Sequence, residues 1–310
     1  MINREDERFT FKASDFGQPK RGLNVANYFL LFESETDALR TFTIPNPNPF
    51  LVFPKAGNEN FPAFSRTLTL EVIQKKLNRE TQWDKLITRT QIWELWEKSE
   101  QELVFSNPIQ PNYRQLIVQK DFSCGQLLGD FEADPEALLL PRELEIILYV
   151  NWLGLFGDLL LHAAAIRIAE GGYAFIGHSN AGKSTLARIL SEDKSVKVLG
   201  EDQVVLRYID GEFWLFGSPW HFYSSLFGPD GVRLKGLFFL DVKGKESCVR
   251  LEPVEGVSKI LQTAFVPYYN PPAVERIMDR LGQLSELIPF QTFGFALDED
   301  LQELIQRIVC

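Results

Sequence analysis

The chain is short of cysteine, histidine and positive charge, and each shortage narrows what it can do. Its three cysteines, Cys124, Cys248 and Cys310, are far apart and odd in number, which gives neither a disulfide framework nor the paired spacing of a metal site. A reducing cytoplasm is the setting this implies. Lys and Arg number 32 against 42 Asp and Glu, so the net charge is −10 and a nucleic-acid backbone would be repelled. The first residues, Met1-Ile2-Asn3-Arg4-Glu5-Asp6-Glu7, are charged and lack the apolar stretch of a secretory signal. The apolar segment 144–166 contains Glu145, Asn151, Asp158 and His162, which speaks against a membrane span. We read it as a buried helix followed by a buried strand. Neither nucleic acid nor membrane is expected among the partners.

What is present suffices for a globular protein. Hydrophobic residues make up 45% and charged residues 24% of the 310, enough to bury a core in one large α/β domain or in two. Residues 44–50 alternate proline with asparagine and read as an extended loop, as does 53–64. From Leu68 the placement of Leu70, Val72, Ile73 and Leu77 predicts an amphipathic helix, and 92–97 and 114–119 read as strands. Trp83, Trp93 and Trp96 suit a core better than a stacking surface. The acidic run from Asp130 to Asp134, followed by Pro135, divides the chain into residues 1–135 and 136–310.

The second part is organised around Gly177-His178-Ser179-Asn180-Ala181-Gly182-Lys183-Ser184-Thr185. Residues 177–184 follow the pattern G-x-x-x-x-G-K-[ST], with an apolar run before and a helical pattern after, the setting in which such a loop cradles phosphate. Its glycines let backbone N–H groups close around phosphate oxygens, Lys183 supplies a point charge and Ser184 a hydroxyl for Mg²⁺, at the positive end of a helix. A helix is expected over 141–156 and a strand over 159–166. Glu170-Gly171-Gly172 then makes a hairpin turn into the strand 173–176 that leads to the loop. The loop strand therefore has an antiparallel neighbour, unlike the βαβ order of most nucleotide-binding sheets. Further strands are expected over 196–200, 204–207, 213–216 and 237–240, then helices over 254–265 and 272–287, a strand over 290–297 and a helix from Asp298.

Phosphoryl chemistry also needs carboxylates, and two placements offer them. Asp241 ends an apolar run, and Glu201-Asp202 follow a shorter one. On a straight strand only one of the adjacent pair would face the phosphates unless the chain turns near Gly200. All three histidines, His162, His178 and His221, fall in this part of the chain, and His178 lies in the loop, where its backbone matters more than its ring.

Taken together, Leu161-His162-Ala163, the loop, Leu199-Gly200-Glu201-Asp202-Gln203 and Gly217-Ser218-Pro219-Trp220 resemble the catalytic domain of HPr kinase/phosphorylase and its relatives, over about 159–240. The resemblance implies a phosphoenolpyruvate carboxykinase-like P-loop domain with a mixed sheet, here preceded by a smaller β-rich α+β domain. It implies an ATP- and Mg-dependent kinase acting on a hydroxyl of a peptide, protein or small molecule, in a cytoplasmic homo-oligomer. By the same resemblance Gly177 to Thr185 bind the nucleotide, Ser184, Glu201 and Asp202 hold the metal, Asp202 is the general base, and His162 and Lys183 complete the catalytic set. Gly217-Ser218-Pro219-Trp220 would line the acceptor side. Glu201 stands where the family has Asp, and the family's Gly-rich signature has no counterpart, which speaks against HPr itself as acceptor. Two other classes fit less well: a transporter-type ATPase needs a Leu-Ser-Gly-Gly-Gln element, and a GTPase needs Asn-Lys-x-Asp, and neither occurs. A non-catalytic nucleotide-binding scaffold would need the same loop and is the alternative that stays open.

Overall fold

The computed structural model describes residues 21–34, 50–52, 65–77, 83–109, 114–131, 140–220, 231–241 and 247–309. His221 and the loops read at 44–49 and 53–64 lie outside them. The chain divides into two compact units, Met1–Tyr149 and Val150–Cys310.

The first unit is built on strands β1 (Arg21–Val25), β2 (Tyr28–Glu33), β3 (Leu51–Val52), β4 (Arg66–Gln74), β5 (Lys85–Arg89), β6 (Glu94–Glu97), β7 (Glu102–Ser106), β8 (Arg114–Gln119) and β9 (Cys124–Gly129). They form one mixed sheet in the order β3-β1-β2-β4-β9-β8-β7-β6-β5. The helix expected from Leu68 is instead β4, paired in parallel with both β2 and β9. Leu68, Leu70 and Val72 are its buried residues, a period of two that the β-branched and aliphatic side chains satisfy from inside a sheet. The α+β reading of this unit loses that helix, and what remains helical among its described residues is the start of α1 (Arg142–Gly154). Trp83 and Trp96 pack against Leu77, Val104, Ile117 and Leu128, in keeping with a core role. Trp93 is half-buried.

The second unit holds β10 (Leu159–Ile168), β11 (Gly171–Ile176), α2 (Lys183–Leu190), β12 (Val196–Gly200), β13 (Gln203–Ile209), β14 (Glu212–Gly217), β15 (Gly231–Leu240), β16 (Ser247–Arg250), α3 (Pro253–Thr263), β17 (Ala264–Phe265), α4 (Pro271–Leu287), β18 (Phe290–Gly294) and α5 (Leu301–Val309). Its sheet is mixed: β11 pairs antiparallel with β10 and parallel with β15, which pairs in parallel with β18. The hairpins turn where the sequence supplies left-handed residues, Asp210 and Gly211 having φ of 52° and 86° between β13 and β14. Because β10 and β15 are long, β11, β10, β13, β14 and β15 close a ring of pairings.

Alternation along β10 sends side chains to two cores. Leu159, Leu161, Ala163 and Ala165 join a cluster with Ile260 of α3 and Ile277, Leu281 and Leu284 of α4. Ala164 and Ile166 face Leu186, Ala187 and Leu190 of α2 and Leu304, Ile305 and Ile308 of α5. Each buried Leu or Ile in such a layer contributes about 1.5–3 kcal/mol, so α2 is held down by its apolar stripe rather than by propensity. Under α2 the rings of Phe175 and Phe238 stack at 5.4 Å, with Phe293 against Phe238 at 5.2 Å. On the opposite face, α3 lies close to the sheet because Gly256 has no side chain; a Cβ there would come within 1.9 Å of the Phe290 ring.

One substitution should therefore have opposite signs at two helical glycines. Gly256→Ala should destabilise this unit by about 1–3 kcal/mol through overpacking against Phe290. Gly282→Ala, in α4 where an added Cβ meets nothing within 4 Å, should stabilise it by about 0.5–1 kcal/mol. Urea unfolding of the two variants checks the pair; equal signs would refute the packing account of α3.

Candidate phosphate-binding site

The loop that follows β11 is shaped by three backbone features. Asn180 and Gly182 are left-handed, with φ of 67° and 91°. Gly177 lies so close to Ala181 that a Cβ would fall 2.7 Å from the alanine methyl. The Ala181 N–H donates to the His178 carbonyl at 3.1 Å, and helix α2 starts with the Leu186 N–H donating to the Gly182 carbonyl at 2.8 Å. The N–H groups of the first turn of α2 thus have no intrahelical acceptor, the condition under which a helix start attracts an anion.

Lys183 is the centre of the site. It is 6% exposed, yet its ammonium donates to the carbonyls of Gly177 and His178, at 2.7 and 3.0 Å, and stands 2.9 Å from His162 Nε2. An ammonium only donates, so His162 Nε2 accepts and the neutral ring carries its proton on Nδ1. That atom faces Asp202 Oδ1 at 3.1 Å. A cation, an imidazole and a carboxylate are thereby joined in line across α2, β10 and the turn between β12 and β13. Burial depresses the Lys183 pKa from its ordinary 10.5, and the charge of Asp202 partly restores it.

The chain does turn after Gly200, so Glu201 and Asp202 occupy a bend rather than a strand. Glu201 is buried, at 7% exposure, while the Asp202 carboxylate is the accessible one of the two. The Asp202 carbonyl accepts from the Ala163 N–H at 3.0 Å, which pins the bend to β10. Ser184 is exposed at the first turn of α2, Thr185 is half-buried beside it, and His178, Ser179 and Asn180 are exposed along the loop. Asp241 follows β15 and donates its N–H to the Phe293 carbonyl at 3.0 Å; it is not among the residues joined to Lys183.

Two further features were not singled out from the sequence. Gln203 pairs with His162 across β13 and β10, so the two side chains share one face of the sheet. Gln203 is buried, and its Oε1 has no hydrogen-bond partner among the described residues, while its carbonyl accepts from the Ser218 hydroxyl at 2.7 Å. The signal available was a polar residue opening the apolar run Val204-Val205-Leu206 directly after Asp202. The second feature is a cleft of about 180 Å³ between the loop and α3. Lys183, His162 and Asp202 are not among its lining residues.

A nucleotide fits the loop on these grounds: the cradle that a Cβ would fill, the buried ammonium, and the uncapped start of α2. Among the described residues no group of three or more His, Cys, Asp and Glu is placed to hold a metal. Magnesium held by one or two carboxylates and substrate phosphates needs no such group, so Ser184, Glu201 and Asp202 remain its candidates.

No family model matches the sequence, and no curated protein sequence matches it. Among solved structures, the chain is similar to the Hpr(Ser) kinase/phosphatase from Coxiella burnetii, at 16% identity and a TM-score of 0.32 over 48% of this chain and 87% of that one. The likeness is distant, and the chemistry of the site rests on its own geometry. Among the described residues no helix is long and apolar enough to cross a membrane.

The lysine's environment has a consequence for titration. Its folded-state pKa lies below the ordinary value, so between the two the unfolded chain binds more protons, and this group's contribution to stability becomes more favourable as pH rises through that window. Asp202→Asn removes the opposing charge and should move the Lys183 pKa further down. Titration of the isotope-labelled lysine by NMR measures this; an unchanged value would sever the electrostatic link from Asp202 to the ammonium.

Proposed function

We propose that the chain is an ATP- and magnesium-dependent kinase that transfers the γ-phosphoryl group to a hydroxyl, of a serine in a peptide or protein or of a small molecule. The observation that carries the reading is the line Lys183, His162, Asp202, which sets a carboxylate beside the phosphate loop with a buried cation between them. On this reading residues 136–310 are the catalytic domain, of the phosphoenolpyruvate carboxykinase-like kind, and residues 1–135 select the acceptor.

The residues divide the work as follows. Loop N–H groups and the start of α2 bind the phosphates. Lys183 leaves the carbonyls of Gly177 and His178 for phosphate oxygens, a better acceptor for a desolvated ammonium. Asp202 accepts the proton of the acceptor hydroxyl as its oxygen attacks the γ-phosphorus and the bond to the β-phosphate oxygen breaks, releasing ADP. His162 holds that carboxylate through Nδ1 and is itself oriented by Lys183. Ser184, Glu201 and Asp202 would hold magnesium, which would supply charge neutralisation for the phosphates. Positioning and charge stabilisation supply the rate, with no covalent intermediate on the protein. Gln203, beside His162, and Ser218, whose hydroxyl donates to the Gln203 carbonyl, would line the acceptor side.

The experiment is transfer of labelled γ-phosphate from ATP into peptides and small molecules of a cell extract. Wild type should label a hydroxyl, Asp202→Asn should lose about 10²–10⁴-fold in transfer while still binding ATP, and Lys183→Ala should lose both. ATP binding without transfer to any acceptor would overturn the kinase and leave the non-catalytic scaffold.

A further inference from the structure

The cleft between the phosphate loop and α3 lies on the side of the sheet away from the proposed reaction centre. His162 projects to the α2 face of β10, whereas α3 packs on the opposite face through Ile260. One wall is the loop from Gly177 to Ala181. The other is the polar edge of α3, with Lys259, Gln262 and Thr263, and the floor is Ile176, Phe239 and Leu240. At about 180 Å³ the cleft is smaller than the roughly 300–1,000 Å³ pockets that enclose a drug-sized ligand, the scale of one ring system rather than of a peptide.

Resting on the nucleotide-dependent reading above, we propose that this cleft takes the nucleoside end of the nucleotide. A nucleotide gripped at its phosphates has two ends, and the one that reacts must point toward Asp202. The nucleoside must then leave the loop on another side, and the cleft begins on the loop itself. Its size and chemistry suit the base of that nucleoside: an apolar floor for a ring face, and an amide, a hydroxyl and an ammonium at the rim for ring nitrogens and exocyclic groups. The rim groups are available at little cost. Lys259 is held only at 3.6 Å by Glu255, one turn earlier on the exposed side of α3, a pair worth little in water. The Gln262 amide makes a 3.4 Å contact with Ser258, close to the limit of a hydrogen bond. Thr263 donates its hydroxyl to the helix carbonyls of Lys259 and Ile260, which leaves the oxygen's lone pairs free to accept.

The test separates the nucleoside from the phosphates by comparing binding of ATP and GTP with binding of inorganic tripolyphosphate, each with Mg²⁺, by calorimetry on the full chain. Gln262→Trp places a bulky ring in the cleft from an exposed helix position, and Lys259→Ala removes the rim charge; thermal melts confirm that both fold. The expected result is a tenfold or greater loss of nucleotide affinity in Gln262→Trp and a smaller loss in Lys259→Ala, with tripolyphosphate affinity within twofold of wild type in both. Lys183→Ala should weaken nucleotide and tripolyphosphate alike. If both cleft variants bind nucleotide as wild type does while Lys183→Ala does not, the cleft is not the nucleoside site and the phosphate loop stands. Equal losses for nucleotide and tripolyphosphate in the cleft variants would give the cleft to the phosphates and overturn the proposal. Wild type that binds neither would overturn the nucleotide reading itself.

Discussion

A lysine ammonium withdrawn from water is the constraint on which the site depends. A charge in that position is costly unless it is hydrogen-bonded and compensated, and in the second unit the compensation comes from two loop carbonyls, an imidazole and, one step further, a carboxylate. Each partner sits on a different element. The two carbonyls require the loop to curl back on itself, which requires Gly177 and Gly182. The imidazole requires β10 to run beside the loop strand, and the carboxylate requires the chain to bend between β12 and β13. The antiparallel hairpin of β10 and β11 is therefore part of the site's chemistry, because it brings a residue fifteen positions before the loop into contact with the loop's own lysine.

Packing holds these pieces in register. The aromatic layer of Phe175, Phe238 and Phe293 ties β11, β15 and β18 together beneath α2, and the stripe of Leu186, Ala187 and Leu190 fixes the helix on that layer. An α2 that could roll would lose the lysine's hydrogen bonds first, since Lys183 is its first residue. On the other face Gly256 lets α3 approach the sheet, so that the same loop forms a wall of the cleft. The loop is thus contacted on two sides by different chemistry, charged on one and mixed on the other.

How much of this was legible in the sequence follows from how local each feature is. The loop and the turn at Asp210-Gly211 are each written in a few consecutive residues and are found where they were read, whereas the hairpin read at Glu170-Gly171-Gly172 turns at Ala169-Glu170, with both glycines already paired in β11. The partnership of His162, Lys183 and Asp202 needed more, because nothing in their separations says that they meet; a family resemblance set His162 beside the carboxylates, and the fold adds its contact with Lys183. The segment from Leu68 was misread because Leu70, Val72, Ile73 and Leu77 fit a helical spacing when taken as four points. The buried residues Leu68, Leu70 and Val72 alternate, and burial between β2 and β9 decides the matter. Short apolar segments carry that ambiguity until their neighbours are known.

The cleft and Gln203 were illegible for a different reason. Lys259, Gln262 and Thr263 read as the solvent side of an amphipathic helix, and their spacing alone is consistent with nothing more. They face the loop because α3 leaves β16 at the end of the sheet order and returns to β17 beside β10, a path set by long-range pairings that no local pattern specifies. Gln203 is buried on the face it shares with His162, its strand partner, so its cost was invisible until the register was known. A buried amide oxygen without a donor costs about 1–3 kcal/mol, and a residue that carries such a cost beside a polar cluster has its use in what the cluster meets. On the proposed reading that amide, on the histidine's face of the sheet, lies on the side where an acceptor would enter. The two ends of a nucleotide-dependent transfer would then fall on opposite faces of one sheet, with the loop between them.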